Sequence, residues 1–490
     1  MKKIPLATFM LLASYAGFAQ IDTLKQEKQT PPSPVKWTLK QCVEYALVNN
    51  LDVKRGTYLV ENSEVDLRQA RMSRLPSVGG NASYGYSWGR GLDPVNNDFV
   101  TQEIRSSNLS ANASLPLYNG MRIQNSVKQY SRAYSASEAD LAKAKNDVIL
   151  NVANLFINVV FNKELVENAK FQLASSQQQL DRTRKQVLAG ALPKSEELDL
   201  DAQVASNEVT LVQQENALAL SILQLKQALL IPAQDPLDVE IPNLDPEDLV
   251  LAETRDEIFE LASKTMPEIK SASYKIESAE YAIRAARGNL QPRLSLVGSI
   301  NTNYSSTQES VFYPDGGVRF SQSPVGFVGN QDTNTPVYTM TPTGTYRTTN
   351  GIGTQFKDNV YRTLGVQLSI PIFNGYTARA GLQRAAIQRN QAQVDAIQVS
   401  NTLRQTVERA YNDAVASSKT YNSSLRQVSA REESFRMMNQ RYTAGSANSF
   451  EFQVAQNNLF QAQTDLARAK YDFIFKKKVL DFYQGKTIEY

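Results

Sequence analysis

The residue types able to do chemistry in this chain are few. Its 490 residues include no histidine and a single cysteine, Cys42. Imidazole is the commonest general base and metal ligand, so its absence removes the usual proton relays and most metal centres. One thiol can form neither an intrachain disulfide nor a thiolate cluster, and within an apolar helical pattern it reads as a buried core residue. No glycine-rich phosphate loop and no metal-ligand spacing is visible. The chain therefore reads as non-enzymatic, with no cofactor and no nucleotide site. A net charge of +3 gives no footprint for nucleic acid. What remains is a matched pair of carboxylates. Glu196 lies six residues after Gly190, and Glu451 lies six residues after Gly445. Each falls where a first helical turn would begin, and there an acid complements the helix dipole.

The elements that would position these acids are two long helical hairpins. Every seventh residue from Val152 is apolar: Val159, Val166, Leu173, Leu180 and Val187. An offset of 255 gives Val407, Ala414, Tyr421, Val428, Phe435 and Tyr442, none of them charged. Val204, Leu211, Leu218 and Leu225 continue the repeat on the returning limb, and Leu459, Leu466, Phe473 and Leu480 answer them. A strict seven-residue repeat implies left-handed supercoiling. From Gly120 to Gly190 such a limb runs on the order of 100 Å at about 1.5 Å per residue. Each tip is a glycine stop: Ala189-Gly190-Ala191-Leu192-Pro193, where Ser195 is placed to cap the returning limb, and Ala444-Gly445.

The duplication extends beyond the hairpins. The helix beginning at Thr38 matches that beginning at Thr254 at an offset of 216. Residues 37–74 read as one helix that stops before Pro76. Period-two segments follow. Val78, Gly80, Ala82 and Tyr84 alternate with small polar residues, as do Leu109, Ala111, Ala113 and Leu115. Leu294, Leu296, Gly298 and Ile300, then Leu364, Val366, Leu368 and Ile370, repeat the pattern. Runs of about ten residues with one apolar and one small polar face carry the signature of a membrane-spanning β-hairpin. Leu115-Pro116-Leu117-Tyr118-Asn119-Gly120 and Ile370-Pro371-Ile372-Phe373-Asn374-Gly375 close the strands, with Pro116 ending the first of these. The loops, 89–104 and about 307–361, are rich in Gly, Asn, Thr and Pro.

These patterns divide the chain as follows. Residues 1–19 read as a signal peptide: Lys2 and Lys3, an apolar stretch, then Gly17-Phe18-Ala19, with no cysteine at the cut. Residues 20–36 form a flexible lead. The first structural repeat is 37–230, with strands at about 77–88 and 106–117 and its hairpin at 120–230. A proline-rich acidic connector, 231–253, precedes the second repeat, 254–485, with strands at about 293–304 and 362–373 and its hairpin at 375–485. Residues 486–490 end the chain. No segment approaches twenty unbroken apolar residues, so no transmembrane helix is expected. Four strands alone would leave two unpaired edges in hydrocarbon, at several kcal/mol per group. Either the strands do not stand in a membrane, or several chains share one barrel. Two, three or four copies would close it, and strand physics does not choose among them.

At this point the chain resembles the TolC-type outer-membrane efflux family, over essentially all of the mature sequence. The resemblance rests on Ala46-Leu47-Val48-Asn49-Asn50, on both strand-exit motifs and on both tips, above all Arg441-Tyr442-Thr443-Ala444-Gly445 followed by Phe450-Glu451. It implies a mainly α fold with a transmembrane β section. Three copies would make a twelve-stranded barrel in outer-membrane lipid, continued by an α-helical barrel across the periplasm. It implies as partners a periplasmic adaptor and an inner-membrane transporter of the RND type, with the strand-to-helix junctions at Pro116, Gly120, Pro371 and Gly375. It further implies that Glu451 and Glu196 line a pore constriction with Tyr442, where rings of carboxylates favour cations. The tips around Gly190, Gly445, Ala189 and Ala444 would meet the adaptor. The chain departs from the family pattern at Leu51, Ala447 and Val454, which replace a proline, an arginine and an acid. The expected function is the exit duct of a tripartite efflux pump. A duct for type I protein secretion and an exported coiled-coil scaffold without a pore are the alternatives.

Overall fold

The computed structural model describes residues 36–92, 97–101, 103–241, 254–312, 319–329, 335–343 and 346–486. The signal peptide, nearly all of the flexible lead, most of the connector and the last four residues lie outside these. The first repeat runs α1 (Leu39–Asn49), α2 (Leu51–Met72), β1 (Ser77–Ser87), β2 (Arg90–Leu92), β3 (Phe99–Thr101), β4 (Ile104–Tyr118), α3 (Arg122–Leu188) and α4 (Lys194–Leu229). The second runs α5 (Arg255–Thr265), α6 (Pro267–Gly288), β5 (Arg293–Ser305), β6 (Glu309–Phe312), β7 (Arg319–Val328), β8 (Thr335–Thr343), β9 (Tyr346–Thr349), α7 (Ile352–Asp358), β10 (Tyr361–Ser369), α8 (Thr377–Thr443) and α9 (Ser449–Tyr483).

The expected single helix over 37–74 is two helices. Asn50 interrupts it in an extended conformation, its side chain accepting from the Asp52 N–H at 2.8 Å. The second repeat breaks at the same place, where Pro267 occupies the first position of α6. Both repeats begin with a capping box, Thr38 with Gln41 and Thr254 with Glu257.

The long helices α3 and α8 each span 67 residues. None of the heptad residues named above is exposed, and Val152, Val159, Val166, Leu180, Val407, Ala414 and Val428 are buried. α3 carries one 18-residue window apolar enough in composition to cross a membrane, with mean hydropathy 1.3. Its Val148, Val152, Phe156, Val159 and Val160 are packed inside a core. Two cores are built from equivalent positions. Cys42, Ala46, Val148, Val152, Val159 and Leu225 belong to the first. Their counterparts Ile258, Ala262, Leu403, Val407, Ala414 and Leu480 belong to the second. The first is larger because the connector folds onto it: Ile231, Leu237 and Val239 join, and Trp37 bridges to Val239.

The sheet has the order β1-β4-β5-β10, antiparallel throughout, with β1 and β10 at its edges. Register places Val78, Ala113, Gly298 and Leu364 in one row and Leu115, Leu296 and Val366 in another, on a single face. Arg362 shares this face near the outer end of β10. The opposite face carries Gly79, Asn112, Ser299 and Thr363, then Asn81, Ser110 and Asn301, with Ser299 and Thr363 hydroxyls 2.9 Å apart. Neither face of β1 is covered: all eleven residues are exposed, as are Leu364, Val366 and Leu368 of β10. At the end away from the helices Tyr84 meets Tyr86 edge to face, and Tyr86 stacks on Trp88.

Three readings of the strands and turns are corrected. Pro116 lies inside β4, where a register irregularity between Pro116 and Tyr118 absorbs its missing N–H. In the second repeat the strand ends earlier than expected, at Ser369, ahead of Pro371. The two loops contain the ribbons β2–β3, β6–β9 and β7–β8 and the helix α7. Gln355 of α7 is buried and clamps the end of β5. Its Oε1 accepts from the Ser305 N–H at 2.9 Å, and its Nε2 donates to the Ser305 carbonyl at 2.8 Å.

Candidate functional site at the hairpin tips

Each hairpin turns by the same device. At the first tip Gly190, with φ +74°, lets the Ala191 N–H reach back to the Gln186 carbonyl at 2.9 Å, while Ala189 donates to the Lys185 carbonyl at 3.1 Å. At the second Gly445, also φ +74°, lets Ser446 donate to the Arg441 carbonyl at 2.9 Å, and Ala444 donates to Gln440 at 3.0 Å. A residue with a Cβ is strained in this left-handed region, which is why glycine closes both helices. The returning limbs start differently. Asn448 caps α9, accepting from the Glu451 N–H at 2.8 Å. Pro193 stands at the cap of α4 with no side-chain bond, so Ser195 is not the cap; it lies within the first turn.

Glu196 and Glu451 both occupy the third position of their helices, Glu196 half-buried and Glu451 exposed. Among the described residues neither has an ion-pair partner, and no hydrogen bond joins them. The charge network forms one residue on. Lys194 Nζ lies 2.6 Å and Arg184 Nε 3.4 Å from the Glu197 carboxylate, and Arg184 also meets Asp201 at 3.1 Å. The Lys194 hydrogen bond, with the Arg184 charge adding, holds the Glu197 carboxyl below its usual range. Sequence reasoning missed this cluster. Its signal was the i,i+3 spacing of Lys194 and Glu197 beside the chosen acid.

Tyr442 is half-buried, as its heptad position requires. Its ring stacks on Phe452 with centroids 4.8 Å apart, and Phe452 in turn meets Phe435. Its hydroxyl crosses to the other hairpin and accepts from Gln179 Nε2 at 2.8 Å. Two further neutral bonds cross the same seam: Gln172 to Asn457 at 3.3 Å and Gln456 to Ser175 at 3.0 Å. Farther from the tips the contact turns aromatic, with Phe161 against Tyr471 and Arg468 over the Phe161 ring. Burial and a hydrogen bond to Glu164 push the Tyr471 hydroxyl upward in pKa. Gln172 and Gln179, seven apart on the flank of the apolar seam, were the legible trace of this polar ladder.

At the opposite ends of the long helices, Asn119 and Asn374 each accept from a backbone N–H at 3.4 Å, that of Ile123 or Ala378, across the left-handed pairs Gly120-Met121 and Gly375-Tyr376. A Cβ at Gly120 would sit 2.6 Å from the Gly288 carbonyl, whereas one at Gly375 would meet nothing within 4 Å.

The outer membrane efflux protein family model matches residues 42–229 and 259–480. The chain is 21% identical to outer membrane protein TolC of Escherichia coli K12, over 97% of this chain and 85% of that protein. It is 22% identical to the probable efflux pump outer membrane protein TtgC of Pseudomonas putida, over 87% of this chain and 78% of the relative. Its fold superimposes on the outer membrane protein VceC of Vibrio cholerae with a TM-score of 0.68 at 16% identity, covering 92% and 97% of the two chains.

Proposed function

Because this chain belongs to the outer membrane efflux protein family, we propose that it is the outer-membrane exit duct of a tripartite efflux pump, conducting small molecules passively. It resides in the outer membrane and extends into the periplasm, like the efflux proteins to which it is similar. The observation that carries the assembly is the uncovered sheet. Four antiparallel strands present an apolar face and two unpaired edges, and a bilayer tolerates such a sheet only when closed. In a trimer β10 of one copy pairs with β1 of the next, and three sets of four strands make a barrel of twelve. Tyr84, Tyr86 and Trp88 then stand at an interface, where amphipathic rings are favoured.

Below the barrel α3, α4, α8 and α9 of each copy build the periplasmic tube, and the tips form its lower mouth. Glu451 and Glu196 supply rings of negative charge there, with Tyr442 bracing the constriction from the seam between hairpins. Turns 187–198 and 442–453 meet a periplasmic adaptor, which couples the duct to an inner-membrane transporter of the RND type. The chain itself supplies passage and the transporter supplies energy. A deletion strain challenged with a panel of toxic compounds, and complemented with the full chain, tests this reading. Sensitisation to at least several compounds, reversed by complementation, is expected, together with a heat-modifiable trimer in outer-membrane fractions. A detergent-independent, water-soluble monomer would overturn it.

A further inference from the structure

The loop joining β5 to β10, at the end of the sheet away from the helices, is not a copy of its counterpart. Across it the offset between repeats grows from 216 to 255, an insertion of 39 residues. Where the first repeat has the three-residue strands β2 and β3, the second builds the β7–β8 ribbon, which joins no other strand. Register gives this ribbon two unlike faces. Ser321 pairs with Thr341 and Ser323 with Thr339 on one, where the Ser323 and Thr341 hydroxyls lie 2.9 Å apart. Phe320, Gln322 and Pro324 share the other with Met340 and Tyr338, and the irregularity at Val325 brings Phe327 and Pro336 to it as well. Phe320, Phe327, Tyr338 and Met340 are between 52% and 63% exposed. A lone two-stranded ribbon is marginal in water, and its apolar face needs a cover.

We propose that the β7–β8 ribbons of three copies pack these apolar faces on one another across the outer mouth of the barrel and close it. This rests on the trimeric reading above. Twelve strands spaced about 4.8 Å apart and tilted about 40° enclose a radius of about 12 Å. The ten residues of β7 reach about 33 Å at about 3.3 Å each, so ribbons rooted on the rim can meet at the axis. Composition selects a second copy over lipid. Residues 319–343 contain one base, Arg319, and one acid, Asp332, whereas segments that lie on a membrane surface draw on Lys and Arg. Phe, Tyr and Met without charge are instead the make-up of a protein–protein contact core. Pro324 and Pro336 lack the ladder N–H, which disfavours strand addition at the edges and leaves the faces to do the joining. Three ribbons on one rim also meet at high effective concentration, so a modest apolar area suffices. The closed mouth is an apolar constriction that holds back water and solutes until cargo parts it.

The test uses the full chain in a Cys42→Ala background, on intact cells. Met340→Cys, modified with benzophenone maleimide and irradiated, is expected to give a covalent dimer on denaturing gels. Thr339→Cys, exposed on the opposite face, is expected to give none. Asn112→Cys, on the polar face of the four-stranded sheet, reports entry to the lumen from outside. Its labelling by a bulky polyethylene-glycol maleimide should be roughly tenfold faster when Phe320→Ser, Tyr338→Ser and Met340→Ser are combined, as closed mouths give way to open ones. Mass in mild detergent is measured separately for each variant. Where the trimer persists, a Met340→Cys product that is not the dimer (a lipid adduct, a different protein or monomer alone), equal dimers from both faces, or unchanged labelling overturns the lid and leaves the duct standing. A monomeric wild type removes both.

Discussion

Single side chains decide what the tip can do. Glu451 is exposed and has no ion-pair partner among the described residues, as the proposed lining of the constriction requires. Glu451→Gln should lower cation selectivity in planar-bilayer recordings, with a smaller change for the half-buried Glu196→Gln; unchanged selectivity would remove Glu451 from the lining. Glu197 behaves differently. Its folded pKa lies below the ordinary 4.5, held there by the Lys194 hydrogen bond. Its stabilisation is present above the unfolded value and is lost as pH falls through the folded one. The protection factor against hydrogen exchange at the first tip should therefore be flat from neutral pH to about 5 and fall below 4.5, and Lys194→Ala should reduce that fall. Cys42 is fully buried, and burial pushes its thiol up to about 12. The folded protein should resist maleimide at pH 8 and be labelled once denatured.

Among the elements, the junctions separate two kinds of glycine. Gly120 needs both its left-handed φ of +65° and the space occupied by Gly288, while Gly375 needs only the backbone freedom within its own chain. Left-handed backbone costs an L-residue roughly 1–2 kcal/mol, and the clash adds to it at Gly120. Gly120→Ala should thus lower the thermal midpoint of detergent-solubilised protein more than Ala at a tip glycine, Gly190 or Gly445. The same comparison explains what was legible beforehand. The heptads, the offsets of 216 and 255 and both tip glycines could be read because covalent spacing and backbone preference act locally. The break at Asn50 escaped because an asparagine within an apolar helical run marks a stop only once its side chain is seen capping Asp52. Pro116 was read as a strand end because the register irregularity that accommodates it depends on β5, far away in sequence. The Arg184–Glu197 pair and the Gln179–Tyr442 bond escaped for the same reason: each joins side chains of two different helices, and seven-residue spacing along one helix does not state which residues face across to the other.

The whole molecule is a twofold repetition whose halves differ in how they are finished. The first core is completed by the connector, and the second is smaller. Between the hairpins the tip end is held by neutral amides and hydroxyls, which contribute about 1 kcal/mol each; the far end is held by aromatic packing. The tip end should part first. Tyr442→Phe, which deletes a single cross-hairpin bond, should raise channel conductance while leaving the thermal midpoint within a few degrees.

The two unpaired strands, β1 and β10, also have a genetic corollary. A copy whose β1 is spoiled by a proline still offers a sound β10, so it can join healthy siblings and then block completion of the circle. For the proposed ring of three copies, equal dosage of normal and spoiled alleles with random mixing leaves roughly one ring in eight wholly normal. Such an allele would therefore be dominant over the wild type in the same cell, whereas a simple null would be recessive.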